Sequence, residues 1–433
     1  MKKPNFYSLF LWLILCLVFS PASFGASPEF EELPEKDYLN LVFERNEDLE
    51  ALRKEIEAKL YSIRGELASQ RPSWGITAEV DRWLNHSRGD RYADLAVSQR
   101  IDLGGRYGLQ ERDLLLGLRI MESRYANSVN EVLAKASSTY RQTVMAGFLR
   151  DMREEVLEHR RQSLEVTREK FQKELVPLLD LLRAQSQVDE GEALLLQARQ
   201  NYEQNLIEMR ALAGQAKVAP LLEVPDIPEI VNRGPGVDYE RAWEYRPDVE
   251  TLRLSRQQAS VRHALAARGL APFLDLSLGW RGGEDYRSSY VEDHQGEILA
   301  TAVLSIPFGD GGKTRNATRA AELLLEKVDR ELGAKEDTVS KELALVRERW
   351  IRGLELEKVR RRQMQRSSEE LEIAEMLYRE GLASQLDLLS AQERDQQSRA
   401  DHLATLQELW LILAEADRTM GRCGGDLLSN QKE

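Results

Sequence analysis

Few of the 433 residues are of the type and spacing that covalent chemistry requires. The histidines His86, His159, His263, His294 and His402 are scattered, without the paired spacing on one helix face or loop that a zinc or metalloprotease site needs. Gly309-Asp310-Gly311-Gly312-Lys313-Thr314 looks superficially like a phosphate-binding loop, but that loop requires a glycine five residues before Gly312, where Pro307 stands. No nucleophile is matched with a base. The sequence therefore predicts no enzyme, no metal and no cofactor. What remains is electrostatic: two aspartates, Asp180 and Asp387, each a few residues after a break in a long helical pattern.

Both breaks have a backbone cause. Glu174-Leu175-Val176-Pro177 puts proline where the following helix begins, and Gly381-Leu382-Ala383-Ser384 opens on a glycine able to take positive φ at a helix end. Asp180 and Asp387 then fall in a first helical turn, where the helix dipole favours a carboxylate. Capping alone accounts for each. Gathered around the axis of an oligomer, the same carboxylates would form a ring that selects cations or repels anions, and crowding would raise some of their pKa values.

The elements that place them come in two copies. At an offset of 200, Asp48-Leu49-Glu50-Ala51-Leu52-Arg53 overlays Asp248-Val249-Glu250-Thr251-Leu252-Arg253, and Pro72 overlays Pro272. At an offset of 207, Ser98 overlays Ser305 and Gly104-Gly105 overlays Gly311-Gly312. Leu179-Asp180-Leu181-Leu182 likewise overlays Leu386-Asp387-Leu388-Leu389, and Gly214 overlays Gly421. The second copy thus carries seven extra residues between Pro272 and Ser305, as expected of a surface hairpin tip.

Around that variable loop the pattern has period two. Trp74, Ile76, Ala78 and Val80 alternate with Gly75, Thr77, Glu79 and Asp81, and Leu95, Val97, Ile101 and Leu103 alternate with Ala96, Ser98, Arg100 and Asp102. Leu274, Leu276, Leu278 and Trp280 alternate with Asp275, Ser277, Gly279 and Arg281, and Ala302, Leu304, Ile306 and Phe308 continue the face. Each copy contributes one hairpin of roughly ten-residue strands, long enough to cross a bilayer when tilted. A half-buried soluble hairpin explains the alternation too. The charged inner face and the aromatics near strand ends, Trp74, Trp83, Phe273, Trp280 and Phe308, favour a water-filled barrel. Four strands cannot close one, but three chains supply twelve.

After Gly105 and Gly312 the pattern turns helical, without proline, to about residues 170 and 377, which at ~1.5 Å per residue makes helices of roughly 100 Å. Leu49, Leu52, Ile56, Leu60, Ile63 and Leu67 keep a coiled-coil spacing. Pro220, Pro225, Pro228 and Pro235 exclude regular helix between the copies. With 60 basic and 73 acidic side chains, a net charge of −13 argues against nucleic acid, and 31% charged residues exclude a bundle of apolar membrane helices. Lys2 and Lys3 before the apolar run Leu9 to Phe19, then Ser23-Phe24-Gly25, read as a secretory signal cleaved after about residue 25. Leu15 before Cys16 disfavours lipidation. With Cys16 removed, Cys423 has no intrachain partner. The expected organisation is a signal peptide over 1–25 and a first repeat over 26–214, with a hairpin at about 73–103, a long helix at about 106–172 and a return helix at about 178–213. A linker over 215–236 leads to a second repeat over 237–421, with a hairpin at about 273–308, a long helix at about 313–378 and a return helix at about 384–420, before a tail over 422–433.

At this point the sequence resembles the TolC family of outer-membrane efflux proteins over essentially the mature chain. The resemblance rests on Val97-Ser98-Gln99-Arg100-Ile101-Asp102-Leu103-Gly104-Gly105-Arg106, on Ser305-Ile306-Pro307-Phe308-Gly309-Asp310-Gly311-Gly312 and on Arg246-Pro247-Asp248. Most specific is Tyr378-Arg379-Glu380-Gly381-Leu382-Ala383-Ser384-Gln385-Leu386-Asp387-Leu388-Leu389-Ser390-Ala391-Gln392, similar to the family's periplasmic-tip motif. The resemblance implies a mainly α chain with a membrane β-barrel: a homotrimer with a twelve-stranded barrel in outer-membrane lipid and a long α-helical barrel across the periplasm. It further implies a tip closed by side-chain links and opened by a periplasmic adaptor (membrane fusion protein) and an inner-membrane pump or ABC transporter. By the same resemblance Tyr378 and Asp387 match gate positions. Ala383 stands where the family's best-known member has a basic gate residue, and Ser390 where it has a second aspartate. Glu174 replaces the usual glycine of the first tip and Pro177 a small polar residue. The expected function is an exit duct of a tripartite efflux pump or type I secretion system, with energy supplied by partners. The competing expectation, a periplasmic coiled-coil structural or adaptor protein, leaves both hairpins without a role.

Overall fold

A computed structural model of the chain describes residues 31–80, 91–223, 246–285 and 292–423. Residues 1–30 with Cys16, then Asp81, Trp83, His86, Pro225, Pro228 and Pro235, the residues beyond Cys423 and the side chains of Glu79, Val80 and His294 lie outside the described residues.

The alternating segments form strands β2 (Ser73–Val80), β3 (Arg91–Asp102), β5 (Phe273–Asp285) and β6 (Glu292–Ser305), joined in one antiparallel sheet of order β2-β3-β5-β6. Ser73 pairs with Ser98 and Phe273 with Ser305, so the seven residues that separate the two repeat offsets lie inside the second hairpin. The strands of that second hairpin run to 13 and 14 residues. The pairing slips by one residue between Arg281 and Gly283, beside Gly296 at φ 71, which makes a bulge. The Trp280 ring lies over that bulge so closely that a Cβ on Gly282 or Gly296 would overlap it. Ile306 and Phe308, assigned by their spacing to the same face, fall beyond β6, where Pro307 has no N–H to pair.

Cross-strand register divides the sheet into two chemically distinct faces. Trp74, Val97 and Leu278 stand abreast, as do Ile76, Leu95, Trp280 and Ile298. This apolar face is open: Trp74 and Ile76 are 82% and 78% exposed. The opposite face carries Asp94, Arg100, Asp275 and Arg281. Because the side-chain period is two, the described apolar side chains of the alternation that lie within the strands fall on the first face together.

Two helices of 67 residues, α3 (Arg106–Gln172) and α6 (Lys313–Arg379), leave the sheet, each about 100 Å long at 1.5 Å per residue. They start at Gly105 (φ 68) and Gly312 (φ 91), and Gly311 also has positive φ. Asp102 accepts from the Gly104 and Tyr107 amides, and Asp310 from those of Gly312 and Thr314, which fixes each turn and satisfies one free N–H in the first turn of each helix. Gly104 is required by space, since a Cβ there would overlap that of Ala271. The 35-residue helices α4 (Leu178–Leu212) and α7 (Gln385–Thr419) return antiparallel.

Where the return helices end, shorter elements thicken the molecule. Helices α1 (Glu35–Arg45) and α2 (Glu47–Ala68), split at Asn46, and the parallel strands β1 (Glu31–Leu33) and β4 (Val218–Pro220) belong to the first repeat. Tyr38, Val42, Leu133, Tyr140 and Met209 form its core. In the second repeat α5 (Pro247–Ala267) meets α6 and α7 through Val249, Val339, Trp350, Leu409 and Ile412. Leu116, Ile120, Leu254 and Val261 join α3 to α5. No described helix is long and apolar enough to cross a membrane.

Candidate functional site

The far ends of the two helical hairpins carry the residues singled out above. Each long helix stops in the same pair of backbone bonds, displaced by 207 residues. Leu175 N bonds Lys170 O at 2.9 Å and Glu174 N bonds Phe171 O at 2.9 Å; Leu382 N bonds Leu377 O at 2.8 Å and Gly381 N bonds Tyr378 O at 3.1 Å. This double bond is the Schellman stop, and its pivot residue must be left-handed. Gly381 takes φ 75 without steric cost; Glu174 takes φ 59 with a side chain attached.

Past the turns the two aspartates differ. Ser384 and Asp387 form a reciprocal capping box: the Asp387 amide donates to Ser384 Oγ at 3.2 Å, while the Ser384 amide and hydroxyl donate to Asp387 Oδ2 at 3.0 and 2.6 Å. The Ser384 hydroxyl, then its N–H, hold this exposed carboxyl below the usual aspartate range. Pro177 offers no such cap, and Asp180 instead faces Arg183 at 3.4 Å.

Tyr378 is 5% exposed, buried where α3, α6 and α7 meet. Its hydroxyl lies 3.3 Å from Thr167 Oγ1. The Thr167 hydroxyl donates to Ser163 O at 2.9 Å, so Tyr378 is the donor in its own bond to Thr167. Gln385 is buried beside them, its Oε1 3.5 Å from Thr167. Lys170 closes the junction: its ammonium donates to Tyr378 O at 2.6 Å and stands 3.8 Å from the ring centroid. Lys170 thus holds the first tip through its own carbonyl and the second through its side chain. Neither Lys170 nor Thr167 is marked by sequence, beyond the preference for a cation near a helix C-terminus. Around the turns Leu175, Leu178, Leu179, Leu182, Leu382 and Leu386 are exposed, Leu382 at 77%. Val176 and Ala383 are half-buried, and Pro177, Gly381 and Ser384 are exposed.

At the other end, the polar face of the sheet is neutralised pair by pair. Arg100 reaches Asp275 through two bonds, 2.7 and 3.1 Å, and Arg281 reaches Asp94 at 2.7 and 3.3 Å. Each pair joins a β3 residue of the first repeat to the β5 residue directly opposite it in the second. Arg100 also lies 4.4 Å from the Phe273 ring centroid. No cluster of His, Cys, Asp and Glu among the described residues could hold a metal ion.

The family described as outer membrane efflux protein (OEP) matches residues 38–215 and again 239–415. No curated protein sequence matches. Among solved structures, the chain is similar to CusC, described by conformational changes accompanying folding and transmembrane channel formation, with TM-score 0.80 and 15% identity over 93% of this chain and 95% of that one. It is similar to the Campylobacter jejuni CmeC outer membrane channel with TM-score 0.77 and 17% identity, covering 92% and 89% of the two chains. The open state of the Neisseria gonorrhoeae MtrE outer membrane channel gives TM-score 0.75 and 16% identity, covering 92% and 93%. At such identity the likeness is one of fold.

Proposed function

Since the chain belongs to the outer membrane efflux protein family and is an outer-membrane efflux channel extending into the periplasm, we propose that it is a passive conduit gated at its helical tip. Channels of this family are non-enzymatic, trimeric parts of efflux pumps. In the proposed assembly three copies of the four-stranded sheet close a twelve-stranded barrel. The open apolar face then meets lipid and the paired charges line the water-filled interior.

The observation that carries the gate is the junction of Lys170, Thr167 and Tyr378, which ties the end of α6 to α3 inside one protomer. A periplasmic adaptor and an inner-membrane pump or ABC transporter, of an efflux pump or a type I secretion system, would supply the energy and release these links. The exposed leucines at both turns, Leu175 and Leu382 foremost, support adaptor docking there, because apolar side chains at the end of a water-exposed tube gain from being covered. Asp180 and Asp387 are the acidic groups proposed to face the constriction.

Planar-bilayer conductance of the detergent-extracted protein, with its oligomeric mass measured on the same sample, tests the reading. Trimers giving small, cation-selective currents are expected; a water-soluble species without conductance would return the helices to the coiled-coil adaptor alternative. Replacing Leu382 with a bulky charged residue should abolish export while leaving trimers intact, and normal export would remove Leu382 from the docking tip.

A further inference from the structure

We propose that α4 of one copy and α6 of the next form a single antiparallel seam, in which four matched heptad steps alternate between apolar and charged contacts and so fix both neighbour and register. The proposal rests on the trimeric reading above and goes beyond it by naming which residues meet.

The seam is read from what each protomer leaves uncovered. Within one chain the hairpins are joined through α3 and α7: Arg160 on α3 bonds Gln396 on α7 at 2.7 Å, and Arg399 on α7 approaches Glu155 on α3 at 3.5 Å. Helices α4 and α6 each keep an exposed stripe. On α4 it contains Leu182, Asp189, Leu196 and Glu203, and on α6 it contains Ile373, Arg366, Val359 and Arg352. Each runs in steps of seven, the repeat of a supercoiled helix pair. The apolar members are 49–66% exposed, surface that the single chain leaves uncovered.

Direction and height agree. Helix α6 descends to Arg379 and α4 ascends from Leu178, so the two are antiparallel. Measured from those ends at 1.5 Å per residue, Arg366 stands about 20 Å and Asp189 about 17 Å above the tip. Every further step of seven up α4 is matched by a step of seven back along α6. Leu182 then faces Ile373, Asp189 faces Arg366, Leu196 faces Val359 and Glu203 faces Arg352. At the tip the same register brings Leu178 to Leu377 and Leu179 to Met376, all exposed in the protomer. Asp189 and Arg366 have no ion-pair partner among the described residues of their own chain, although the charged side chains around them mostly do: Glu192 pairs with Arg161 and Glu370 with Arg394. Acid lies on α4 and base on α6 at both charged steps, although Arg352 also bonds Glu348 and Glu355 of its own helix at 2.9 and 3.0 Å, so the Asp189 and Arg366 step carries the charge argument. Sliding the register by one heptad would set Asp189 and Glu203 against Ile373 and Val359 in one direction, or against Val359 and Leu345 in the other, burying carboxylates against apolar side chains.

The occupant is therefore a second copy of this chain, and cysteine cross-linking decides it. In full-length protein carrying Cys423→Ser, Leu196→Cys combined with Val359→Cys should give a covalent trimer on oxidation, seen on a non-reducing gel. Leu196→Cys combined with Ile373→Cys, about 21 Å out of register along α6, should not. Reversing one charge, Asp189→Arg, should lower the temperature at which the trimer dissociates in detergent, and adding Arg366→Asp should restore it. A cross-link confined to the monomer band, equal cross-linking of both cysteine pairs, or trimers by mass that never cross-link would overturn the seam while leaving the trimer intact. A monomer by mass in detergent would overturn the trimeric reading itself.

Discussion

Arg246 repeats in the second half of the chain the reach of Asn46 in the first. Asn46 Nδ2 donates to Leu212 O at 3.4 Å and Arg246 NH1 donates to Thr419 O at 3.2 Å, so equivalent positions at the head of a short helix tie down equivalent carbonyls where a return helix ends. The larger side chain recruits partners. Arg246, buried, bonds Asp248 at 2.7 and 3.0 Å and Glu342 at 2.8 Å, and Lys335 approaches Asp248 at 2.8 Å.

That network makes the packing of α5 against α6 and α7 sensitive to acid. Burial alone would raise the Asp248 pKa, but hydrogen bonds from Arg246 and Lys335 outweigh it and bring the value from 3.8 to about 2. A carboxyl depressed by folding contributes stability that is present above its unfolded pKa and is lost as pH falls from about 4 toward 2. Arg246→Met strips Asp248 and Glu342 of their shared cation and is expected to cost about 3 kcal/mol at pH 7. The gap between wild type and variant should narrow in thermal melts below pH 3. A gap that stays constant with pH would show that Arg246 acts by packing alone.

The left-handed pivots of the two tips make a second comparison. Glu174 at φ 59 carries a side chain where Gly381 at φ 75 has none, and a Cβ on Gly381 would meet nothing within 4 Å. Only backbone conformation is then at stake, worth about 1 kcal/mol at such a position. Glu174→Gly should slow proteolytic nicking of the first turn, and Gly381→Ala should speed it at the second. If both variants behave as wild type, neither turn is under strain.

The repeat, the period-two strands and the long helices were legible because each is a local pattern with one period. The 200 and 207 offsets even located the extra residues, which the Ser73–Ser98 and Phe273–Ser305 pairings place within the second hairpin. What sequence could not supply were contacts between the copies. Arg100 reads as one charge of a polar face, and only the pairing of β3 with β5 sets it against Asp275, 175 residues away. Lys170 looks like any cation in a last helical turn until the fold brings Tyr378 to it from 208 residues away. Phe308 misled for a local reason, since its alternation continues through Pro307, which ends the ladder.

The Lys170 junction predicts graded loosening of the tip. Lys170→Met removes a charge-assisted bond to the Tyr378 carbonyl and should weaken the junction by about 2 kcal/mol; Tyr378→Phe keeps the ring and loses one neutral bond, about 1 kcal/mol. Single-channel conductance and cellular entry of a large hydrophilic antibiotic should rise in that order. Because both residues share one junction, the double variant should fall short of the sum. Strict additivity, or a larger effect from Tyr378→Phe, would show that Lys170 does not hold the tip.

Asp387 must be tested by a substitution that spares its structural work. Asp387→Ala would remove charge and cap together, and loss of the cap alone costs about 1 kcal/mol. Asp387→Asn keeps an oxygen to accept from the Ser384 amide and hydroxyl, the bonds that now measure 3.0 and 2.6 Å, and removes only the charge. If this carboxylate faces the constriction, the asparagine variant should show weaker block by multivalent cations and lower cation selectivity, with trimer stability unchanged. Full block in the asparagine variant, with weaker block only in the alanine one, would assign Asp387 to the helix start and leave the constriction to other groups.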